Sequence, residues 1–512
     1  MRGRLPGLAL GLVLGLLALG PGLRRGFLLS YDMVFVPRES LRAALDLGGP
    51  PRAVPSDVVM AVAERVLPGD IVQKLVLLAI FTLACGGAAA LARDFPLIAR
   101  LAAGVFYTWN PYVAERLIIG QWALLLGYAG LPWVLAAALR RPFSWWRLAL
   151  AMLPAIVGGF AAMAITGLLL VPVVILRRSP RDAATAVAVL IAGCLPWLIP
   201  SMLHPVYADP RAVAAFAARP DTPFGSAGSL LMLGGIWNAQ AVPAGYGGWL
   251  TAAWLVVVII GCAGYVVWTR ASYRGLGAAA VIGLLIALAG VTAPGQDLLR
   301  AAIGAWPGVA ILRDGQQFVA PLALAEALGL AAVVSRAVRA DAAGMLYAMV
   351  ALLVPVLLLP GLAWGAGGRL QPVWYPPGWA AIARTVDTSP APGDVLLLPW
   401  AADRRPAWND YEAVLDPWPR LLSRPVIWND GTTVGNVAML PDDPVARRLN
   451  TVITGTGPMT AALRAVGIRF VLVDAGASPA LRLPGSVIIA TANGVTLFEI
   501  PMPNRDESPS PR

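Results

Sequence analysis

An acidic residue directly after the first long apolar segment is the strongest candidate for chemistry in this sequence. Residues 27–39 read FLLSYDMVFVPRE, and the acid among the first few of them is Asp32. A carboxylate held where an apolar segment meets water can take a proton from a reacting hydroxyl group, which is general base catalysis. The sequence therefore predicts that any reaction takes place around Asp32.

A second polar group lies within the aromatic-rich residues 107–133. Glu115, Arg116 and Gln121 stand here among tyrosines and tryptophans. An acid, a base and an amide can together hold a sugar and an anionic group, because carboxylates and amides bind hydroxyl groups and arginine binds anions. A structural salt bridge between Glu115 and Arg116 explains the same pattern equally well.

A third polar group, in residues 305–321, contains Arg313, Asp314 and Gln316. Arginine suits phosphate because its rigid fork donates two hydrogen bonds at once and keeps its charge at any ordinary pH. The apolar run that follows contains Glu326, an ionisable group of a kind that is rare inside membrane helices and usually pairs or functions there. These residues predict a phosphate-binding edge next to an apolar run.

The composition indicates a membrane protein that crosses the bilayer many times. Hydrophobic residues make up 58% of the 512 residues, only 13% are charged, and the mean hydropathy is +0.71, whereas a soluble globule has about 25% charged residues. The net charge of +11 comes from arginines in short clusters between apolar runs, a pattern that argues against nucleic acid as a partner. The three cysteines lie inside apolar runs and His204 is the only histidine, so neither a disulfide nor a zinc site is expected.

About eleven apolar runs approach the roughly 20 residues that span a bilayer. Arginines between them fall on alternate sides, which places the N-terminus in the cytoplasm by the positive-inside rule and predicts a multi-pass protein of the plasma membrane. A cleaved signal peptide is the alternative for the N-terminus, but Arg24 and Arg25 follow the first run where small residues would be needed for cleavage. The predicted spans are residues 5–23, 73–92, 98–113, 119–139, 148–163, 165–176, 183–202, 248–268, 275–293, 317–335 and 343–364.

The domain prediction is a transmembrane domain over residues 1–365, with a first outer loop over 24–72, and a small extracytoplasmic α/β domain over 366–500. In the loop, residues 38–47 and 56–67 have the spacing of short amphipathic helices that lie on the membrane surface. In the second domain, residues 393–400, 468–474 and 486–501 are predicted strands, the last a hairpin turning on Asn493-Gly494, and 456–467 is a predicted helix. The tail 501–512 has the composition of a disordered segment.

Several stretches together resemble the GT-C superfamily of membrane glycosyltransferases. They are SYDMVFVPRESL, LPGDIVQKL, NPYVAERLIIGQWALLLGYAGLPW and LRDGQQF, and the likeness is greatest to actinobacterial arabinofuranosyltransferases and mannosyltransferases of cell-wall polysaccharide synthesis. The resemblance implies a sugar donor linked to polyprenyl phosphate and an acceptor that is a cell-envelope glycan or glycolipid. It requires no ATP, and a divalent cation is compatible with it but not demanded.

The same resemblance assigns roles to the candidate residues. Asp32 stands at the position of the superfamily's general base, and the departing phosphate would be held by Arg38, Arg116 or Arg313. Sugar or acceptor hydroxyl groups would be oriented by Glu115, Gln121, Asp314 and Gln316.

A different class of function is a non-catalytic membrane protein, either a flippase for lipid-linked sugars or a scaffold for cell-wall assembly. A transporter should carry polar residues through its spans and show repeated halves. Glu326 is the main ionisable residue inside the predicted spans, and no repeated halves are evident in the sequence. Both observations favour an enzyme over a transporter.

Overall fold

The N-terminal part of the chain is a bundle of α-helices. The computed structural model describes residues 3–45, 54–204, 208–340, 343–434, 437–474 and 483–501. The helices in this part are α1 (Leu5–Leu19), α2 (Leu41–Ala44), α3 (Ser56–Ala63), α4 (Gly69–Leu91), α5 (Leu97–Thr108), α6 (Pro111–Ile118), α7 (Trp122–Leu139), α8 (Trp145–Gly158), α9 (Phe160–Leu176), α10 (Pro180–Leu203), α11 (Ala212–Ala215), α12 (Gly225–Leu231), α13 (Leu250–Gly264), α14 (Arg274–Ala289), α15 (Ala293–Ala305), α16 (Ala320–Ala340) and α17 (Ala343–Leu358).

The number of helices long enough to cross a membrane is smaller than predicted. Within the described residues, six helices meet the length and hydropathy expected of a span, or eight if two bent helix pairs each count as one. The prediction of about eleven spans is therefore not confirmed. Several predicted spans are shortened by breaks: α5 stops at Thr108, so that its 12 residues cover only about 18 Å, and Gly159, with a φ of +74°, separates α8 from α9. The six are Leu5–Leu23, Gly69–Leu91, Trp122–Leu139, Pro180–Leu203, Leu250–Thr269 and Gly315–Ala340.

Helix α16 lies at the centre of the bundle. Its residues 320–332 are all buried, and it packs against α5, α13, α14 and α17. Small residues allow this: a Cβ atom added at Gly329 would overlap the carbonyl oxygen of Gly261 on α13. Close approach of backbones at glycine is a common way for membrane helices to pack, because lipid tails already satisfy apolar side chains.

The C-terminal part forms a mixed sheet flanked by short helices. The five-stranded sheet has the order β10-β11-β9-β3-β6, with β3 parallel to both β6 and β9 and the hairpin antiparallel. The predicted strands are confirmed, and Asn493 and Gly494 turn the hairpin with φ of +48° and +80°. The elements are β1 (Phe27–Leu28), β2 (Pro372–Val373), β3 (Asp394–Leu398), β4 (Asp403–Arg404), β5 (Val414–Leu415), β6 (Val426–Ile427), β7 (Thr433–Val434), β8 (Val437–Ala438), β9 (Ile468–Val473), β10 (Val487–Ala492) and β11 (Val495–Glu499), with α18 (Ala363–Gly368), α19 (Trp379–Thr388), α20 (Trp418–Leu421), α21 (Pro444–Thr454) and α22 (Thr460–Ala465).

The loop after α1 is bound to the C-terminal part by backbone pairing. Strand β1 pairs antiparallel with β2, and Tyr31 bridges to Val414 of β5. The predicted amphipathic helix over residues 38–47 is only the four residues of α2, and the one over 56–67 is α3. Residues 46–53 and the predicted disordered tail from 502 lie outside the described residues.

Candidate functional site

Asp32 lies on a tight turn that the C-terminal part holds in place. The turn closes through hydrogen bonds between the backbones of Ser30 and Met33, with the Met33 nitrogen 2.8 Å from the Ser30 oxygen. Tyr31 has a left-handed φ of +44°, and its nitrogen donates to the Ala413 carbonyl at 2.6 Å. The Asp32 side chain is exposed, so a substrate can reach it.

The hairpin that holds Tyr31 is itself anchored by buried charges. Arg404 of β4 contacts Asp416 at 2.6 Å and Asp474 at 2.9 Å. Strands β4 and β5 pair with each other, so this ion network fixes the edge to which Tyr31 bonds. A charge buried with two hydrogen-bonded partners restrains its surroundings, because breaking one contact would leave an unpaired charge.

The opposite side of the turn rests on the end of α6. The Asp32 nitrogen donates to the Ile119 carbonyl at 3.1 Å, and the Ser30 hydroxyl donates to the Ile118 carbonyl at 2.6 Å. Gly120 makes this contact sterically feasible, since an added Cβ would lie 2.8 Å from Met33 Cβ and nearer still to backbone atoms of Ser30 and Met33. The turn therefore sits directly beside Gln121.

Helix α6 exists because the sequence Asn110-Pro111 ends α5 and starts a new helix. The Asn110 side chain accepts from the Val113 nitrogen at 3.0 Å and so caps α6, while proline is well suited to the first helical position. The Asn110 amide also donates to the carbonyls of Phe106 and Tyr107. Helix α5 therefore ends at Thr108, inside the predicted span 98–113.

Glu115 and Arg116 on α6 form a buried ion pair. Their side chains have relative exposures of 0% and 1%, and Arg116 Nη1 lies 3.4 Å from Glu115 Oε2. The Arg116 guanidinium also stacks over the Tyr112 ring at 4.0 Å. The structural salt bridge considered from the sequence is thus present, and both residues are buried in the bundle.

Asp221, which the sequence did not single out, adjoins Glu115. Burial, the Asp221 charge and their direct contact raise the pKa of Glu115 well above its usual range, against the opposing effect of Arg116. Burial likewise raises the pKa of Asp221, whose carboxylate accepts from the Gly235 nitrogen. Two carboxyl groups in contact in a buried site share one proton, because both cannot ionise there. We therefore expect the pair to carry a single negative charge facing Arg116.

Asp314 links Gln121 to the arginines. Burial raises the pKa of Asp314, while Arg116, Arg313 and a hydrogen bond from Gln121 act in the opposite direction. The Arg313 guanidinium lies over the Phe216 ring at 4.9 Å. The structure thus brings together five of the predicted residues, Gln121, Asp314, Arg313, Arg116 and Glu115, and the turn of Asp32 lies beside Gln121.

Some buried polar atoms of these residues have no hydrogen-bond partner. They are Glu115 Oε1, Arg116 Nε, Asp314 Oδ1 and both polar atoms of the Gln316 side chain. An unpaired buried polar atom costs about 1–3 kcal/mol, so native proteins seldom keep several close together without a functional reason. The group is therefore suited to bind hydroxyl or other polar groups of a ligand.

Arg38 is placed elsewhere. It is exposed in the segment before α2, and its neighbours contact the C-terminal part: Glu39 lies 3.8 Å from Arg420, and the Ser40 hydroxyl is 3.0 Å from that of Ser423. Arg38 thus sits beside the contact between loop and C-terminal part, and the described contacts do not join it to the buried group around Arg116.

Two arginines near the Tyr31 hydroxyl group, on the residue before Asp32, were not found from the sequence. The Tyr31 hydroxyl donates to Gln240 Oε1 at 2.5 Å, and Arg405 donates to the same oxygen at 2.8 Å. Arg369 donates to the Gln240 backbone carbonyl. These residues lie far apart in the chain and carry no local motif, so nothing short of the fold could have placed two guanidinium groups beside the turn.

Among the described residues, no group of three or more His, Cys, Asp or Glu side chains is arranged to hold a metal ion. This concerns protein ligands alone. Phosphate-bound cations often use one or two carboxylates together with the substrate's own oxygens.

Comparison with solved structures identifies the fold. The chain is similar to arabinofuranosyltransferase AftD from Mycobacteria, with a TM-score of 0.61 and 17% sequence identity over 99% of this chain and 40% of that chain. A mutant of AftD gives a TM-score of 0.62, again at 17% identity, over 99% and 42% of the two chains. No protein-family profile and no curated protein matches the sequence.

The chain therefore spans about two-fifths of the length of the AftD structures that it matches. The resemblance predicted from the sequence agrees with this likeness, which concerns the fold alone. Because a fold can host several functions, the activity has to be argued from the site.

Proposed function

We propose that this chain is an integral membrane glycosyltransferase that moves a sugar from a polyprenyl-phosphate donor to a cell-envelope glycan or glycolipid, with Asp32 as general base. The observation that carries this proposal is the exposed carboxylate of Asp32 on a turn held from both sides, with Arg405 and Arg369 gathered around the neighbouring Tyr31–Gln240 contact. The GT-C-like fold supports it.

In the proposed reaction, Asp32 takes the proton from an acceptor hydroxyl group as its oxygen bonds to the anomeric carbon of the donor sugar. The bond between that carbon and the phosphate oxygen breaks, and the electron pair leaves with the polyprenyl phosphate. A well-placed general base contributes typically about 10²–10⁴ in rate. The energy of the reaction is stored in the donor, so neither ATP nor a nucleotide sugar takes part.

The leaving phosphate needs cationic hydrogen-bond donors, because negative charge grows on its oxygens as the bond breaks. Arg405 is exposed and half-buried Arg369 lies next to it, so we assign the phosphate contact to these two. Arg38, Arg116 and Arg313 are the arginines proposed from the sequence. Of these, Arg116 is enclosed by Glu115 and Tyr112, so it would contribute its positive charge from the buried interior.

The buried polar group beneath the turn is proposed to orient the sugar or the acceptor. Gln121 and Asp314 stand next to the contact between the Asp32 turn and α6, with Glu115 and Gln316 further along the same group. Unpaired atoms of Asp314 and Gln316 would bind hydroxyl groups. Such binding stabilises the correct pose more than a flexible surface group could, because the side chains are already ordered.

The proposed topology follows from the arginine distribution. Residues 1–365 form the membrane domain, the N-terminus lies in the cytoplasm, and residues 366–500 lie outside the plasma membrane together with the first loop. Asp32 then faces the outer surface, where lipid-linked sugars and envelope glycans meet. Cysteine accessibility labelling at Ser389 and Arg178, which lie on opposite sides in this topology, would test it.

The reaction class is tested with the purified chain in liposomes. Polyprenyl-phosphate arabinofuranose and mannose are supplied with an envelope oligosaccharide acceptor, with and without a chelator, and both the glycan product and free polyprenyl phosphate are measured by mass spectrometry. We expect both products to form in equal amounts and only from lipid-linked donors. Donor that crosses the bilayer with no product formed would instead favour a flippase.

A further inference from the structure

A cleft of about 740 Å³ lies away from Asp32, between the end of α1 and the turn α18. Residues Pro21 and Arg24 form one wall. The other wall is a left-handed turn in which Trp364, Gly365, Ala366 and Gly367 have φ between +51° and +72°. Since non-glycine residues rarely adopt this conformation, a turn containing Trp364 is a built feature that costs energy.

The cleft stands at the ends of two membrane-crossing elements. The candidate span Leu5–Leu23 ends at it, and the pair Ala343–Leu358 and Pro360–Gly368, bent by 60°, enters it from the other side. The Trp364 side chain is 62% exposed, as tryptophans at the level of lipid head groups are. These positions place the cleft at the boundary between lipid tails and water.

Apolar surface leads from the membrane to the cleft. Leu12 and Leu16 on α1 and Leu353 and Leu357 on α17 are exposed, and both helices pack on α5 between them. Exposed leucines on candidate spans face lipid tails. An acyl chain can therefore lie along either helix with its head group in the cleft.

The polar groups of the cleft suit a phosphate. Arg24 is exposed and has no acidic partner among the described residues, whereas the adjacent Arg25 is bound to Asp70 at 2.6 Å. Gln371 also lines the cleft, with its amide donating to the Gly368 carbonyl at 2.9 Å. One free guanidinium beside an ordered amide provides a charge-assisted contact for a single phosphate group.

We propose that this cleft binds the head group of an anionic glycerophospholipid such as phosphatidylglycerol, with Arg24 contacting the phosphate and Trp364 lying along the glycerol and upper acyl chains. A phospholipid is favoured because the cleft stands at the ends of two candidate spans that have exposed leucines, and because it carries an exposed arginine with no acidic partner among the described residues. The proposal does not depend on the proposed transferase activity.

The site also connects to the position of Asp32. The Leu370 nitrogen donates to the Gly365 carbonyl at 2.8 Å, and the chain then runs directly into β2, which pairs with Phe27–Leu28 of β1. A lipid that holds α18 would therefore steady the strand pair that precedes the Asp32 turn. This provides a route by which the surrounding lipid affects the site.

Binding is measured on the delipidated full-length protein in detergent by native mass spectrometry, with phosphatidylglycerol as the titrant. Arg24→Gln should weaken binding about tenfold, the effect expected for loss of one charge-assisted hydrogen bond. Arg65→Gln is the matched control, because Arg65 is an exposed arginine near the start of α4, close in sequence to the Arg25–Asp70 contact. Equal weakening in both variants, or no change in Arg24→Gln, would overturn the proposal.

A fluorescence measurement covers the case in which Arg24→Gln perturbs folding. Phosphatidylglycerol brominated near the glycerol should quench part of the tryptophan emission of the wild type, and Trp364→Phe should remove that part while keeping a similar melting temperature. Unchanged quenching in Trp364→Phe would count against the site. Displacement of the brominated lipid by equimolar polyprenyl phosphate would also count against the proposal, because the cleft would then bind the sugar donor. Displacement by inorganic phosphate alone would count against it as well.

Discussion

Gly120 is the position where a single methyl group should separate folding from activity. It has a φ of +83° and allows the Asp32 turn to rest on the end of α6. In Gly120→Ala the added Cβ would lie 2.8 Å from Met33 Cβ and closer to the backbone of Ser30, whereas ordinary contacts begin near 3.4 Å. The turn must therefore move by more than half an ångström, and by about 1 Å where the backbones meet.

The size of the effect follows from that displacement. A misplacement of about 1 Å in a catalytic group can cost about 100-fold in rate, so kcat/KM for sugar transfer should fall about 100-fold. The left-handed backbone adds a stability cost of about 1–2 kcal/mol for alanine. Transfer from a polyprenyl-phosphate sugar and the melting temperature in detergent would be measured on the same preparation.

Gly245→Ala is the matched control for this experiment. Gly245 has a nearly identical φ of +82°, but an added Cβ meets no atom within 4 Å. It should lose stability by a similar amount and keep its activity. Equal activities of the Gly120 and Gly245 variants would refute the claim that the contact at Gly120 positions Asp32.

Three further sets of substitutions test separate parts of the structure. Arg405→Gln should lower kcat/KM about 10- to 100-fold, since a hydrogen bond to a charged group contributes about 1.5–3 kcal/mol, and steady-state kinetics would show it. Burial raises the pKa of Glu64 from 4.5 to about 7, so the stability of the fold decreases as the pH rises from 4.5 to 7. After allowance for solvent screening, Glu64→Gln should be more stable than the wild type by about 1–2 kcal/mol at pH 8. At pH 4.5 the two proteins should differ little in thermal melts. Glu115→Gln and Asp221→Asn should each lower the stability measured in thermal melts only slightly, because one negative charge remains beside Arg116. The double variant removes both carboxyl groups of the pair and should lose about 3–5 kcal/mol of stability.

The outcomes that would contradict these predictions are distinct. Wild-type kinetics in Arg405→Gln would remove that arginine from the phosphate contact, and Arg384→Gln, an exposed arginine on α19, is its control. A Glu64→Gln effect that is independent of pH would show that folding does not raise the pKa of this carboxyl group. Additive losses at Glu115 and Asp221 would mean that the two do not share a proton.

Local signals in the sequence predicted much of the fold. Asn110-Pro111 begins a new helix by a signal that is visible in the sequence, because the asparagine caps the helix and proline fits its first position. Asn493-Gly494 turned the predicted hairpin, since both residues tolerate positive φ. Apolar runs, turn residues and caps act within a few residues of one another, and such features can be interpreted from a single sequence.

Other features depend on contacts between distant segments. Arg405 and Arg369 meet Tyr31 through Gln240. The contact of Asp221 with Glu115 likewise joins α6 to a distant loop. The prediction of about eleven spans is not confirmed. Apolar residues also fill the buried interior of the bundle, where a helix such as α5 is too short to cross a bilayer alone. The pattern of apolar residues in a sequence does not distinguish burial inside the bundle from contact with lipid.

The central claim is that Asp32 removes the proton from the acceptor. Its most direct test compares Asp32→Asn with wild type in reconstituted liposomes at saturating polyprenyl-phosphate sugar. The substitution keeps the shape of the side chain and removes its basicity, so the rate should fall by about 10²–10⁴ while donor binding and the melting temperature are retained. Transfer by Asp32→Asn within a factor of about two of the wild-type rate would contradict the assignment of Asp32 as the base.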